Sequence, residues 1–302
     1  MSKSKQADKT FKIRDKATEK ALLLAYNASL KTIRGELAAL YEKTDGSFSE
    51  SQKYNRLAGI EEAIADEIKD LTGKIAKTLV TGLLDSFKEA RSWKMYEIES
   101  DQSVQATIKF NQINREAVLK AIENPFDQVG FVQRNRNNQA LLVQQLQQEI
   151  AQGLIQGKSF QQTARSMKKR MEIGASKALT ITRTESKRVR GKAQLDTMRE
   201  AQEAGVMMKK QWMGTIDDKT RDAHQSLDGV TIDLDEDFVS DAGNSGPGPG
   251  QMNAAEEDIN CRCTLTTVIE GFEPDSRRVR DAGIVDYSSF EKWQETREVP
   301  KR

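Results

Sequence analysis

The chain has 302 residues, of which 37% are hydrophobic and 31% charged, with a net charge of +1 and two cysteines. That length can bury one large or two medium cores, and so high a charged fraction belongs to long, solvent-washed helices rather than to one tight globule. No apolar run approaches the ~20 residues that span a bilayer, the basic N-terminus lacks the apolar stretch of a signal peptide, and two cysteines one residue apart make no disulfide framework, so a reducing compartment is expected.

Residues 1–20 carry seven Lys/Arg against three acids. Leu23, Tyr26, Leu30, Ile33, Leu37 and Leu40 then recur at alternating spacings of 3 and 4, which predicts a heptad seam on a helix from about Asp8 to Lys43. Thr44 to Ser47 (Thr-Asp-Gly-Ser) breaks it, and Ser47 with Glu50 offers a capping box for a second helix. That helix carries Leu57, Ile60, Ile64, Ile68, Leu71, Ile75 and Leu79 on one stripe, so the pair should fold back as an elongated hairpin. Its narrow seam suits either internal packing or the docking of a partner.

Phe110, Ile113, Ala117 and Ala121 suggest a further helix, stopped at Asn124-Pro125. Gln139 to Gln162 is glutamine-rich, yet Val143, Leu146, Ile150 and Leu154 keep helical spacing. Gly153 and Gly157 should end that helix, and Ser159 with Gln162 should cap the next. A helix from about Ala175 to Ala204 follows, closed by Gly205. Residues 165–199 hold eleven basic side chains against three acids. Lys168, Lys169, Arg170, Lys187, Arg188, Arg190 and Lys192 are candidates for sequence-independent contact with DNA phosphates, without the interleaved aromatics that stack on bases. The alternative is that this surface faces residues 217–258, which carry two basic side chains against twelve acids.

The C-terminal third changes character. Val206 to Trp212, Val230 to Leu234 and Thr264 to Ile269 read as strands, with a turn at Thr215 to Lys219 and a tight turn at Leu227-Asp228-Gly229. The fold class is therefore α+β, mainly α: a helical hairpin, a helical region, and a small antiparallel sheet joined by long loops. The loop Val239 to Asp258 contains Gly-Pro-Gly-Pro-Gly at 246–250, expected to project outward as a contact loop. The sole histidine, His224, and the sole cysteines, Cys261 and Cys263, flank this loop and are expected to meet in space. With Asp222 or Asp217 as a fourth ligand they would suit zinc; otherwise they are packed structural residues. A Cys261–Cys263 disulfide would be strained, and no protease motif surrounds either thiol, so no catalytic residue is assigned.

Arg183-Thr184-Glu185 on a basic helix, Trp212, Asp-x-x-Thr-Arg-x-x-His-x-x-Leu-Asp-Gly, the Pro-Gly loop and Ile259-Asn260-Cys261-Arg262-Cys263 occur in that order. Together they resemble the phage head morphogenesis, or Mu F-like minor head protein, family over roughly Gln139 to Ile269. The resemblance implies three regions: 1–124 as the candidate portal-binding part, 125–280 as the minor head domain and 281–302 as a tail. It implies a structural protein of the virion, inside the head at the portal vertex, assembled in the host cytoplasm and acting in head morphogenesis and in genome packaging or ejection. Its partners would be the portal protein, packaged double-stranded DNA and scaffold or major capsid protein, with no membrane. Leu23, Tyr26, Leu30, Ile33, Leu37 and Leu40 are then the candidate portal-binding seam, and Arg183 and Glu185 internal contacts. The competing class is an enzyme, a metal-dependent hydrolase or a toxin, against which stands the lack of a second histidine.

Overall fold

The computed structural model describes residues 3–42, 50–101, 104, 108, 110, 116, 118–119, 130–215, 217–269, 276–279 and 283–286. Four long helices dominate: α1 (Lys3–Glu42), α2 (Glu50–Glu99), α3 (Phe131–Ile155) and α4 (Phe160–Glu203). After them come β1 (Met208–Met213), α5 (Asp222–Gln225), β2 (Thr231–Asp233), β3 (Phe238–Val239), β4 (Ser245–Gly246), α6 (Ala255–Asp258), β5 (Thr264–Ile269), β6 (Ser276–Val279) and β7 (Gly283–Asp286). The protein is mainly α with a small antiparallel sheet, as its patterning predicts. The Ser47–Glu50 cap and the Asn124-Pro125 stop lie outside the described residues; Glu116, Val118 and Leu119 are helical.

The chain forms two compact units. A helical unit comprises Lys16–Thr81 and Val129–Thr182, and a mixed unit comprises Met1–Asp15, Gly82–Gln128 and Arg183–Arg302. This partition differs from the expected boundary at residue 124, because helices distant in sequence close one core.

In the helical unit the buried side chains are Leu22, Tyr26, Ile33, Leu37 and Leu40 of α1, Ile60 to Leu79 of the α2 stripe, Leu142, Leu146 and Ile150 of α3, and Met167 and Met171 of α4. The seam is thus internal, and its register slips by one residue. Leu22 is 1% exposed and Leu23 42%, and Ser29, hydrogen-bonded to Glu67, takes the buried position beside the half-buried Leu30. A straight helix drifts from a strict heptad, so the stripe turns away from Leu23. This corrects the expectation of a portal-binding seam: Tyr26, Ile33, Leu37 and Leu40 are core, not a free docking surface.

Tyr26 Oη and Asn138 Nδ2 both donate to the Gly174 carbonyl, at 3.2 and 3.1 Å. A Cβ on Gly174 would meet Leu142 Cδ2 at 3.0 Å, which explains a glycine inside α4. The glutamines of α3 have a role too, since Gln139 and Gln147 donate to the α2 carbonyls of Ile68 and Glu61 at 2.8 and 3.3 Å. Ser159 and Gln162 form the expected reciprocal cap of α4, with N–H to side-chain oxygen distances of 2.9 and 3.3 Å. Gly153 does not end α3. It is buried within it, where an added Cβ would lie 2.6 Å from Thr163 Oγ1.

In the mixed unit, β1 is the central strand of an antiparallel sheet ordered β2-β1-β5. Met208 faces Ile269, Lys210 faces Thr267 and Trp212 faces Leu265 across β1 and β5. Strand periodicity puts these pairs on one face, where they build three layers. Met208 and Ile269 join a cluster with Ile98, Met198, Val206 and Leu234, and Trp212 and Leu265 join another with Leu227, Phe238, Met252 and both cysteines. The layer between is polar. Lys210 Nζ donates to the carbonyls of Leu234 and Pro247, each at 3.0 Å, and Lys94 Nζ donates to Thr267 Oγ1 at 3.0 Å. Burial, resisted by Asp237 and other acids, lowers Lys210 to about 8. Strands β3–β4 and β6–β7 form two separate hairpins.

The slipped register gives a direct test. Leu22→Ala should lower stability by about 2–5 kcal/mol and Leu23→Ala by about 0.5 kcal/mol or less in chemical denaturation followed by circular dichroism. Equal losses would return Leu23 to the core.

Candidate functional site

After β1 the chain turns at Asp217, whose carboxylate accepts the Lys219 N–H at 3.0 Å, and Thr220 N–H returns to the Asp217 carbonyl at 3.3 Å. This turn delivers the single helical turn α5, and with it His224, 2% exposed. Farther on, α6 ends at Asp258, and Asn260 adopts a φ of 57°, a left-handed turn that asparagine tolerates. From there Cys261-Arg262-Cys263 runs extended into β5. The period of two places both thiols on the buried side with Leu265 and turns Arg262 the other way.

His224 stands between two kinds of partner. Its Nδ1 lies 3.8 Å from Cys261 Sγ and 3.6 Å from Cys263 Sγ. Its Nε2 lies 2.7 Å from Glu257 Oε2. The other carboxylate oxygen, Oε1, accepts from Ser240 Oγ at 2.7 Å and from Asn244 Nδ2 at 3.3 Å. Trp212 packs its ring edge-on against both His224 and Phe238, with centroids 5.3 Å apart in each case. Burial pushes Glu257 up, but the hydrogen bonds from Ser240 and Asn244 and the imidazole outweigh it and hold the carboxyl below its usual range. Burial likewise opposes charge on His224, yet the Cys261 thiol and Glu257 raise it overall. The neighbouring Cys263 thiol and burial hold Cys261 well above the ordinary thiol range. Cys261, helped by the Lys187 ammonium, lowers Cys263.

Among the described residues, His224, Cys261 and Cys263 are the group able to hold a metal ion, with donor atoms all within 4.8 Å of one another. Asp222 is exposed on α5 and is not of that group, which corrects its assignment as a ligand. Asp217 is also engaged elsewhere, in a two-pronged pair with Arg262.

The Gly-Pro loop packs inward, against the expectation of a projecting contact loop. Gly246, Gly248, Pro249 and Gly250 are buried. A Cβ on Gly248 would lie 2.8 Å from Leu265, and one on Gly250 would lie 3.3 Å from the Lys187 stem. The glycines are there for close approach to β5 and α4.

The seven basic residues proposed for DNA divide between the two units, and four of them are held in close ion pairs. Lys168, Lys169 and Arg170 belong to the helical unit and the other four to the mixed unit. Arg170 pairs with Glu149, Arg188 with buried Glu185, Arg190 with Asp15 and Lys192 with Asp196. Lys187, which burial lowers, is near both cysteines. Lys168 and Lys169 are exposed, Lys168 beside Glu172 at 3.6 Å. Thr184, from the Arg-Thr-Glu motif, accepts the Asn260 N–H at 3.2 Å and so fastens the Cys-x-Cys turn to α4.

Residues 144–266 match the family described as Phage Mu protein F like protein, a span that contains Trp212, His224, Glu257 and both cysteines. Over an alignment of 293 residues, the chain is 30% identical to the minor head protein GP7 of Bacillus phage SPP1, covering 93% of each protein. The chain belongs to the Mu F-like family of phage minor head proteins. This Mu F-like protein is also 29% identical over 278 residues to an NAD(+)–arginine ADP-ribosyltransferase, EFV, of Enterococcus faecalis. There the alignment takes in 91% of the chain and 56% of the relative, so the chain spans little more than half of that protein. No solved structure matches.

Glu257 and its partner Ser240 were not legible as site residues in the Mu F-like sequence. Glu257 sits in Ala-Ala-Glu-Glu-Asp, which reads as a solvated acidic run, yet Glu257 and Asp258 are 2% and 0% exposed. Asp258 accepts the Met252 N–H at 3.0 Å, and burial, against such backbone hydrogen bonds, raises it to about 6.

The Asp217–Arg262 pair ties the turn before α5 to the Cys-x-Cys segment. Burial pushes Asp217 up, but hydrogen bonds from Arg262, the Lys219 N–H and Thr220 hold it down at about 2. A carboxylate depressed on folding contributes stability that is full above its unfolded range near 4 and is lost as pH falls toward its folded value. Asp217→Asn should therefore cost on the order of 1–2 kcal/mol at neutral pH, after discounting for the exposed side of Arg262. Chemical denaturation at several pH values should show the gap between wild type and variant closing between about pH 4 and pH 2.

Proposed function

We propose that this chain is a structural component of a phage virion, held inside the head at the portal vertex. It is assembled in the host cytoplasm, contacts the portal protein, and acts in head morphogenesis and in the packaging or ejection of the genome. The observation that carries this reading is the end-to-end similarity to SPP1 GP7, a minor head protein, over 93% of both chains. Most of the chain's apolar seam is buried in the helical unit, so the portal contact uses another surface, polar or formed by residues other than the α1 stripe. The packaged genome and scaffold or capsid subunits are further partners in this reading, with the exposed Lys168 and Lys169 among the candidates for phosphate contact.

The similarity to a protein named as an ADP-ribosyltransferase favours a second reading, in which the chain is an enzyme. The structural role is the better supported. The region shared with the transferase is only 56% of that protein, whereas a minor head protein shares nearly all of its length.

Both readings meet one experiment. Tagged full-length chain, co-expressed with the portal and major capsid proteins of its phage, should co-purify with portal rings even when capsid protein is omitted. Incubated with biotin-labelled NAD⁺ and arginine-containing acceptors, the same material should transfer no label. Chain that sediments apart from the portal and is absent from purified heads would overturn the head-protein reading. Label on arginine would establish the enzyme.

A further inference from the structure

We infer that His224, Cys261 and Cys263 bind one zinc ion that closes the long loop of the mixed unit, with Glu257 as the outer carboxylate that orients the imidazole.

The donor set is the first ground. Thiolate sulfur and imidazole nitrogen are the ligands that zinc prefers, and all three side chains are buried. The second is spacing. Atoms held about 2.0–2.3 Å from a common tetrahedral zinc lie roughly 3.3–3.8 Å apart. The nitrogen-to-sulfur distances of 3.8 and 3.6 Å need only a slight contraction to reach that geometry. The third is orientation, and it is the most telling. With Nε2 directed at Glu257 Oε2, 2.7 Å away, the imidazole donates its proton there and turns the Nδ1 lone pair toward both sulfurs. A histidine that hands its far N–H to a carboxylate while its near nitrogen faces other donors is the second-shell arrangement of metal-bound histidines. Glu257 is itself held by Ser240 and Asn244, so the orienting group is fixed from behind.

No fourth His, Cys, Asp or Glu joins the group among the described residues, which would leave the fourth position to water. The ion would link residue 224 to residues 261 and 263 and so enclose β2, β3, β4, the Gly-Pro loop and α6. Metal ligation couples the closure of such a loop to folding. The rival arrangement is metal-free: the Lys187 ammonium balances a thiolate, and the cluster is a buried ion network.

Full-length chain purified under reducing conditions should carry about one zinc per chain by elemental analysis. Exchanged into cobalt(II), it should show a thiolate-to-cobalt charge-transfer band and the intense visible absorption of tetrahedral cobalt. Cys263→Ser should lose the charge-transfer intensity of one thiolate. Glu257→Gln, which leaves all three ligands in place, should keep the spectrum while weakening cobalt affinity by on the order of 10–100-fold. Should Cys263→Ser fail to fold, the wild-type cobalt titration and Glu257→Gln decide alone. Folded wild-type chain that retains no zinc and develops no cobalt–thiolate band in excess cobalt would establish the metal-free network. Full metal content in a folded Cys261→Ser/Cys263→Ser variant would likewise overturn the site.

Discussion

A carboxylate that is 2% exposed needs compensation for the water it has lost, and for Glu257 that compensation organises the C-terminal part of the chain. Its hydrogen-bond partners come from three places: His224 from α5, Ser240 after β3 and Asn244 before β4. These segments have little regular structure, with strands of two residues and helices of four. Segments so short cannot hold position by their own backbone hydrogen bonds. The buried charge does it for them. By turning the imidazole, the same carboxylate also decides which nitrogen meets the two thiols.

The sheet applies the same principle one layer away. Lys210 and Thr267 face each other in the middle of an otherwise apolar sheet face, and Lys94 reaches Thr267 from α2. A lysine there has lost its hydration and needs acceptors, which the carbonyls of Leu234 and Pro247 supply. Its ammonium therefore fastens the start of the acidic loop and the Gly-Pro segment at once. Gly246 shows how close that fastening is: an added Cβ would lie 2.1 Å from the Gln251 carbonyl oxygen. A loop that reads as flexible on composition is held by one buried cation and by backbone contacts that only glycine permits.

For a head protein this division of labour matters. The apolar stripes of the long helices are largely used up within the helical unit, and its glutamines reach across to neighbouring helix carbonyls. A partner that docks on the helical unit must then be recognised by side chains outside those stripes. A minor head protein and an ADP-ribosyltransferase each align with nearly the whole of this chain, across its helices and its small sheet alike.

The sequence alone indicated the long helices, the three strands of the main sheet and the family. Helical and strand periods are local, so the α2 stripe, the Ser159–Gln162 cap, β5 from Thr264 to Ile269 and the paired direction of the two thiols could be read from spacing. Only the tertiary structure decided which polar groups are buried and what answers them. Leu22 rather than Leu23 enters the core because the helix drifts against a strict heptad, and drift is settled by the neighbouring helices. Asp222 and Glu257 are both acids in an acidic stretch, yet one is exposed and the other pairs with His224, 33 residues away. Four charges of the basic run on α4, those of Arg170, Arg188, Arg190 and Lys192, are taken up by Glu149, Glu185, Asp15 and Asp196. Burial of charge is a long-range property: its cost falls on one residue and its compensation comes from others that no spacing rule connects to it.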